Sequence, residues 1–333
     1  MISTEDQLLT ETKLKRITWL SSEDVRRKFN QLMHHFNEEA LLVCYQELDK
    51  NKAIGNDGVD KESYGANLEG NLKDLVSRLK SMSYIPGNIR EVQIPKEDGT
   101  GKTRTLGISN FEDKIVQKMM HKVLESIYEP IFLESSFGFR PGKGMQILQE
   151  KIKDTTLLRY ITRMFKAGIL SKEELVLQEE GVVQGSICSP ILANIFAHYV
   201  IDEWFEETVK KHCKGKVELF RYADDSVVCC EYEADANRIR TALVKRLEKY
   251  KLKLNEEKTK MVKFSRRESG QGVKQGGFDF LGFTFYLGKA RNGIIIPKVK
   301  SSGRRIRSKL KKVNAWCKDI RDKYKLHIIW KKF

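Results

Sequence analysis

No stretch of this sequence is apolar for long enough to cross a bilayer, and Met1-Ile2-Ser3-Thr4-Glu5-Asp6 has none of the features of a secretory signal. Those absences set aside an integral membrane protein and point to a cytoplasmic one. The six cysteines (Cys44, Cys188, Cys213, Cys229, Cys230 and Cys317) never fall at Cys-x-x-Cys spacing. Reduced thiols are therefore expected, rather than a structural zinc site. His34-His35 has no cluster of metal-type ligands around it in the sequence and reads as structural. Internal repeats and low-complexity linkers are also missing. The most informative shortage is of acid: 45 Asp+Glu face 61 Lys+Arg, for a net charge of +16. Such a bias favours a polyanionic partner. Phospholipid competes for that role, but no basic amphipathic helix carries the Trp/Phe/Leu face that a membrane surface needs. Nucleic acid is preferred. What remains, 40% apolar and 32% charged residues in a chain of 333, is a globular composition with length for two or three subdomains.

Residues 1–85 are expected to be helical. Leu41, Leu42, Tyr45 and Leu48 recur at helical spacing, a loop covers residues 50–60, and Leu68, Leu72, Leu75, Val76 and Leu79 form a second stripe. A hairpin follows, residues 90–96 and 102–108 around a polar turn. Val92 and Ile94 face one way, and Lys96 and Arg104 are left for a ligand or for solvent. Residues 111–132 are predicted as a long amphipathic helix. Phe137-Gly138-Phe139-Arg140-Pro141-Gly142-Lys143-Gly144 is a glycine-rich basic loop of a kind whose amides can approach a phosphate backbone. Beyond Gln184-Gly185-Ser186, Ser189 is expected to cap a helix with Pro190 at its first position. Residues 234–250 read as a helix, 261–264 as a strand, and 278–283 as a strand with a tight spot at Gly282. From Lys289 onward the chain is strongly basic, most densely from Lys298 to Lys312, and this density suits a phosphate-tracking surface better than a solvated face.

One stretch organises the rest. In residues 219–230 two short apolar arms, Leu219-Phe220 with Tyr222 and Val227-Val228-Cys229-Cys230, flank Asp224-Asp225. Both arms favour burial, whereas the two carboxylates are costly to bury unpaired. The tip therefore needs a cation or access to solvent. An Asp-Asp pair alone is most often an ordinary solvated turn; its apolar flanks give it more meaning here.

Tyr222-Ala223-Asp224-Asp225 between apolar strands resembles the palm hairpin of reverse transcriptases. Further boxes follow in the same order: Ile94-Pro95-Lys96 to Arg104-Thr105-Leu106-Gly107-Ile108, Phe137 to Gly142, Gln184-Gly185-Ser186 with Ser189-Pro190, Leu254-Asn255 with Lys258-Thr259, and Phe278 to Phe283. As an ordered set over nearly the whole chain they are similar to the bacterial reverse transcriptases encoded by group II introns. The resemblance implies an α/β (α+β) right-hand polymerase, with helices on small antiparallel sheets. Its layout would be a helical extension and fingers over 1–85, fingers with a shortened junction over 86–180, a palm over 181–285, and a basic linker with the start of a thumb over 286–333.

The resemblance also implies roles. Asp224 and Asp225 would be catalytic and hold Mg2+, with Mn2+ as the alternative ion; two such ions activate the primer 3′-hydroxyl and neutralise the leaving pyrophosphate. Lys96 and Arg104 would clamp the triphosphate of a deoxynucleoside triphosphate. Gln184, Gly185 and Tyr222 would lie by the nascent pair, and Lys258 would protonate the pyrophosphate. Arg140, Lys143, Arg304, Arg305 and Arg307 would contact nucleic acid, namely intron RNA and an RNA template with its DNA primer.

One departure counts against full activity. The family carries a third carboxylate on a palm strand between the glycine-rich loop and the helix near Leu157. Here Gln149-Glu150-Lys151-Ile152-Lys153-Asp154 runs straight into that helix, and several dozen residues are missing. Asp154 reads as a helix cap, with Thr155 as the alternative, and not as a replacement ligand. Most of the thumb and the maturase region is expected to be lacking too. Three outcomes stay open: an impaired RNA-directed DNA polymerase, a non-catalytic RNA-binding splicing helper, and a decayed remnant. Oligomeric state is not legible.

Overall fold

The computed structural model describes residues 4–95, 103–133, 136–137, 144–167, 169–171, 174–176, 185–250, 252–273, 275–321 and 323–324. Two compact units divide the chain, residues 1–253 and 254–333.

The first unit opens with four helices, α1 (Thr4–Glu23), α2 (Glu38–Glu47), α3 (Lys61–Gly65) and α4 (Leu68–Lys80). Local chemistry fixes their starts: the Asn37 side chain accepts from the Ala40 N–H at 2.9 Å, and the Asp60 side chain from the Ser63 N–H at 2.7 Å. The hairpin β1 (Ile89–Pro95) and β2 (Thr103–Ile108) comes next, then α5 (Phe111–Tyr128). Helix α5 is the spine of the core. Ile115, Val116, Met119, Met120, Val123, Leu124 and Ile127 make one continuous buried stripe against α1, α2 and α8 (Ser189–Ala197). It ends at Tyr128, short of residue 132, because Pro130 falls in a 3-10 turn over Glu129–Ile131.

A two-residue strand β3 (Ser136–Phe137), helices α6 (Gly144–Lys151) and α7 (Thr155–Phe165), and strands β4 (Ile169–Ser171) and β5 (Glu174–Val176) lie between α5 and α8. Strand β4 pairs parallel to β1 and antiparallel to β5, giving a four-stranded sheet in the order β2-β1-β4-β5. Strands β4 and β5, only three residues each, are not expected from the sequence pattern. Helix α8 runs on through two π-helical segments, His198–Asp202 and Phe205–Val209, into α9 (Lys210–His212). Its cap differs from expectation: Cys188 is the N-cap, and Ser189 and Pro190 both lie inside the first turn. Strands β6 (Val217–Tyr222) and β7 (Asp225–Cys230), followed by α10 (Glu233–Lys249), complete the unit.

The second unit holds α11 (Arg266–Gly270) and a meander of β8 (Phe278–Phe280), β9 (Phe283–Lys289) and β10 (Ile295–Ser301), followed by α12 (Gly303–Ile320). Two expectations fail here. Residues 261–264 form no strand, because apolar residues need a partner edge to make one; Phe264 instead packs edge-on against Phe278, with ring centroids 5.9 Å apart. The stretch 278–283 is likewise two strands, broken at Leu281 and Gly282, both at positive φ. Gly282 suits that break because its φ of 82° lies in a region that residues with a Cβ rarely adopt. The whole is a mixed α/β protein with helices packed on small, mainly antiparallel sheets.

Candidate active site

Strand β6 alternates strictly. Val217, Leu219 and Arg221 are buried, while Glu218, Phe220 and Tyr222 are exposed. Its apolar side packs with Phe205 and Val209 from the helix after α8 and with Ile239 of α10. Strand β7 pairs antiparallel along it from Val217 opposite Cys230 to Tyr222 opposite Asp225. The loop between them is thus two residues, Ala223 and Asp224. Ala223 has φ 59°, the positive value that the first central residue of a primed hairpin turn takes. Asp224 and Asp225 are both solvent-facing at this tip, beside Tyr222, which is 52% exposed. Of the two options for the tip, a cation or solvent, both carboxylates have solvent access.

Strand β3 pairs parallel to the other side of β6, Ser136 with Arg221 and Phe137 with Tyr222. The second edge of β6 is thus paired, over these two residues, by a segment that precedes α6 in the chain. Asp154 is buried and caps α7. It accepts from the Thr156 and Leu157 N–H groups at 3.0 Å each and from the Met33 N–H at 3.1 Å. A carboxylate so committed to backbone donors is a poor replacement ligand.

Arg221, two residues before the Ala223-Asp224 loop, is not among the site residues expected from the sequence. It is 1% exposed and donates from Nε to Asp202 Oδ1 at 2.7 Å, with Nη2 to Oδ2 as the second arm of the fork. Its Nη1 donates to the Ala223 carbonyl at 3.2 Å and lies 3.4 Å from Asn194 Oδ1. His198 Nδ1 is 3.8 Å from Asp202 Oδ2, buried and without a hydrogen-bond partner. Burial, foremost, pushes the His198 imidazole down to about 4, so it is neutral at pH 7. The signal was available: in the period-2 pattern of β6, Arg221 occupies an inward position.

The other expected site residues are distributed. Arg104 is exposed on β2, directly opposite Ile94. Residues opposed across an antiparallel pair share a face, so Arg104 stands on the side of Val92 and Ile94 and not away from it. Gly185, at φ 120°, packs against β2: a Cβ would meet the Gly107 carbonyl at 2.3 Å and the Leu106 side chain at 3.0 Å. Its freedom from a side chain is thus already used by protein backbone. Lys96, Arg140, Lys143 and Gln184 lie outside the described residues.

In the second unit, Asn255 builds a turn by accepting from the Lys258 N–H at its side-chain oxygen, at 3.1 Å, and from the Thr259 N–H and hydroxyl at its carbonyl, at 3.0 and 2.8 Å. Lys258 is exposed on that turn. Arg304, Arg305 and Arg307 are exposed on the first turns of α12, where Arg305 also donates to the Leu281 carbonyl and Arg307 to the Gly303 carbonyl.

The donor chemistry at the tip suits a hard cation. Two adjacent carboxylates open to solvent match an ion such as Mg2+, which keeps several waters and draws its remaining ligands from substrate phosphates. Among the described residues no group of three or more His, Cys, Asp or Glu could hold a metal, so within them the tip offers two carboxylates and no third.

Comparison with known sequences agrees with this geometry. Residues 148–285, which include the tip, match the family model described as reverse transcriptase (RNA-dependent DNA polymerase). The group II intron-encoded protein LtrA of Lactococcus lactis subsp. cremoris is 29% identical over 221 residues, covering 56% of this chain and 37% of the relative. Protein YkfC of Escherichia coli (strain K12) is 28% identical over 356 residues, covering 86% of this chain and 90% of the relative. Nuclear intron maturase 2, mitochondrial, of Arabidopsis thaliana is 36% identical over 94 residues, covering 28% of this chain and 11% of the relative. The chain spans little more than a third of the length of the Lactococcus protein. The alignment with YkfC is longer than this chain, so that relative has positions with no counterpart here.

Proposed function

Since the chain carries a reverse transcriptase domain distantly related to group II intron-encoded proteins, we propose that it is an RNA-directed DNA polymerase of that type by descent, one that binds RNA while its own polymerase step is impaired. The observation that carries this is the Asp224-Asp225 tip, presented on a β6–β7 hairpin inside the matched domain, with no third carboxylate beside it among the described residues. The order of the sequence boxes supports the descent. The direct run from residue 149 into α7 supports a missing palm strand.

In this reading residues 181–285 are the palm, the β1–β2 hairpin belongs to the fingers, and residues 286–333 begin a thumb. Asp224 and Asp225 would hold the catalytic ions, Mg2+ or Mn2+. When bound, the metal lowers the pKa of the primer hydroxyl and neutralises developing phosphate charge. Arg104 and Lys96 would orient the triphosphate, and Gln184 and Tyr222 would lie by the nascent pair. The exposed cations of α12, with Arg140 and Lys143, bind intron RNA or a template–primer duplex through phosphates. Primer extension tests this: the chain is incubated with Mg2+, a primed RNA template and deoxynucleoside triphosphates. Extension at background that Asp224→Ala leaves unchanged is the expected result. Robust synthesis that Asp224→Ala abolishes would overturn the impairment.

A second reading, a non-catalytic RNA-binding splicing helper, is favoured by the density of exposed cations on α12. It predicts RNA binding that survives Asp224→Ala.

A further inference from the structure

The tip that carries Asp224 and Asp225 has a conformational choice. A two-residue hairpin loop takes a I′ turn, with positive φ at both central residues, or a II′ turn, with positive φ at the first alone. The two differ mainly by rotation of the peptide between those residues. Here Ala223 is at positive φ and Asp224 is not. Neither Ala223 nor Asp224 is the glycine that usually settles such a loop, and an L-residue at positive φ costs on the order of 1 kcal/mol. Something else must hold the central peptide in place.

The carbonyl of that central peptide belongs to Ala223, and it accepts from Arg221 Nη1 at 3.2 Å. The same guanidinium is fixed from behind by the carboxylate of Asp202, at 1% exposure on both sides of the pair. Asp202 in turn is the last residue of a π-helical turn, in which the Glu203 N–H reaches back five residues to the His198 carbonyl. Such a widened turn is rare within helices, and it shifts the register of the helix that precedes β6 at the residue that meets Arg221. We propose that Arg221, braced by Asp202, is a positioning residue for the metal-binding tip: it locks the Ala223–Asp224 peptide in one orientation, and so sets the direction in which the Asp224 carboxylate leaves the backbone. The proposal rests on reading that tip as the metal-binding turn of a polymerase. The stake is geometric, because a misplacement of about 1 Å at reacting groups can cost on the order of 10²-fold in rate.

Removing one member of a buried ion pair leaves an uncompensated charge and can unfold a chain, whereas replacing both members with apolar residues is often tolerated. The experiment therefore uses the full chain, Arg221→Lys, and the double variant Arg221→Met with Asp202→Leu. Lysine keeps the charge but lacks the fork needed to reach Asp202 and the carbonyl together. Amide hydrogen exchange is read at residues 223–225 against residues 217–219 of β6 as an internal control. Mn2+ binding is read by electron paramagnetic resonance, with Asp224→Ala defining the signal that belongs to the tip.

The expected result is exchange at the tip at least about tenfold faster in both variants, the factor that loss of a hydrogen bond from a charged donor corresponds to, with residues 217–219 unchanged. The Asp224-dependent Mn2+ affinity should fall with it. Unchanged exchange at the tip, or an equal loss of protection through residues 217–219, would overturn the positioning role and leave Arg221 as a core residue only. If the unmodified chain shows no Asp224-dependent Mn2+ binding, the polymerase reading of the tip fails. The exchange comparison decides the role of Arg221 without any metal.

Discussion

His35 and His198 are both buried, and burial pushes each imidazole from 6.5 down to about 4. The unfolded chain takes up these protons below pH 6.5, and the folded one only near pH 4. Acidification across that window therefore favours unfolding, by up to about 1.4 kcal/mol per pH unit for each group. Asp113 acts with the opposite sign. Burial raises its carboxyl to about 6, although the Tyr84 hydroxyl and the Gly87 N–H (3.0 Å) both donate to it. Its folded form keeps a proton that the unfolded form loses above pH 4, so acidification from pH 6 to 4 favours the fold. Urea unfolding at pH 7, 6, 5 and 4 should show His35→Asn losing less stability on acidification than the parent chain, and Asp113→Asn losing more. Identical pH slopes for all three would show that neither group is held as described. No sequence pattern reveals such shifts, since they depend on what covers each side chain. Asp224 and Asp225 belong to the other class: a turn between two apolar arms needed a cation or solvent, and both residues are exposed. Phe220 and Tyr222, expected to be buried with their arm, are instead 48% and 52% exposed because they alternate onto the outer face of β6.

At the scale of elements, α12 and β7 carry the predictions. The early turns of α12 present Arg304, Arg305 and Arg307 to solvent. If they track phosphates, replacing them with glutamine should weaken RNA binding and reduce the slope of log K against log[salt] by about one for each phosphate no longer neutralised. An unchanged slope would make this a solvated face. Strand β7 lies at the edge of the order β3-β6-β7, with its residues half-buried or exposed. The stripe of α5 is buried along its whole length. Amides of Val227 to Cys230 should accordingly exchange faster than those of α5; equal protection would mean that a further segment pairs along β7. Helices as long and periodic as α5 were legible because seven apolar residues at one spacing admit a single buried face. Strands β3, β4 and β5 were not, because two or three residues have no periodicity to read and exist only through their partners.

For the molecule as a whole, the question is whether two carboxylates suffice. Replacing residues 149–153 with a complete palm segment from the family should raise primer extension that depends on Asp224 above background. Failure of that repair in a folded, RNA-binding protein would mean that more than the missing strand is lost. Retained RNA binding in the unmodified chain would separate an impaired polymerase from a decayed remnant.

Charge and motif order are properties of the chain as written: a net charge of +16 and an ordered set of boxes that resembles group II intron reverse transcriptases need no folding to be seen. The same holds for Asp154 as a cap, because the hydrogen bonds of a helix start are local. Which backbone Gly185 approaches, which side of its hairpin Arg104 takes, and the place of β3 beside β6 became visible in the folded chain alone. There too Arg221 and Asp202, nineteen residues apart, meet behind the tip. Interactions of that kind depend on helix register and strand pairing acting together, and no window along the chain contains both.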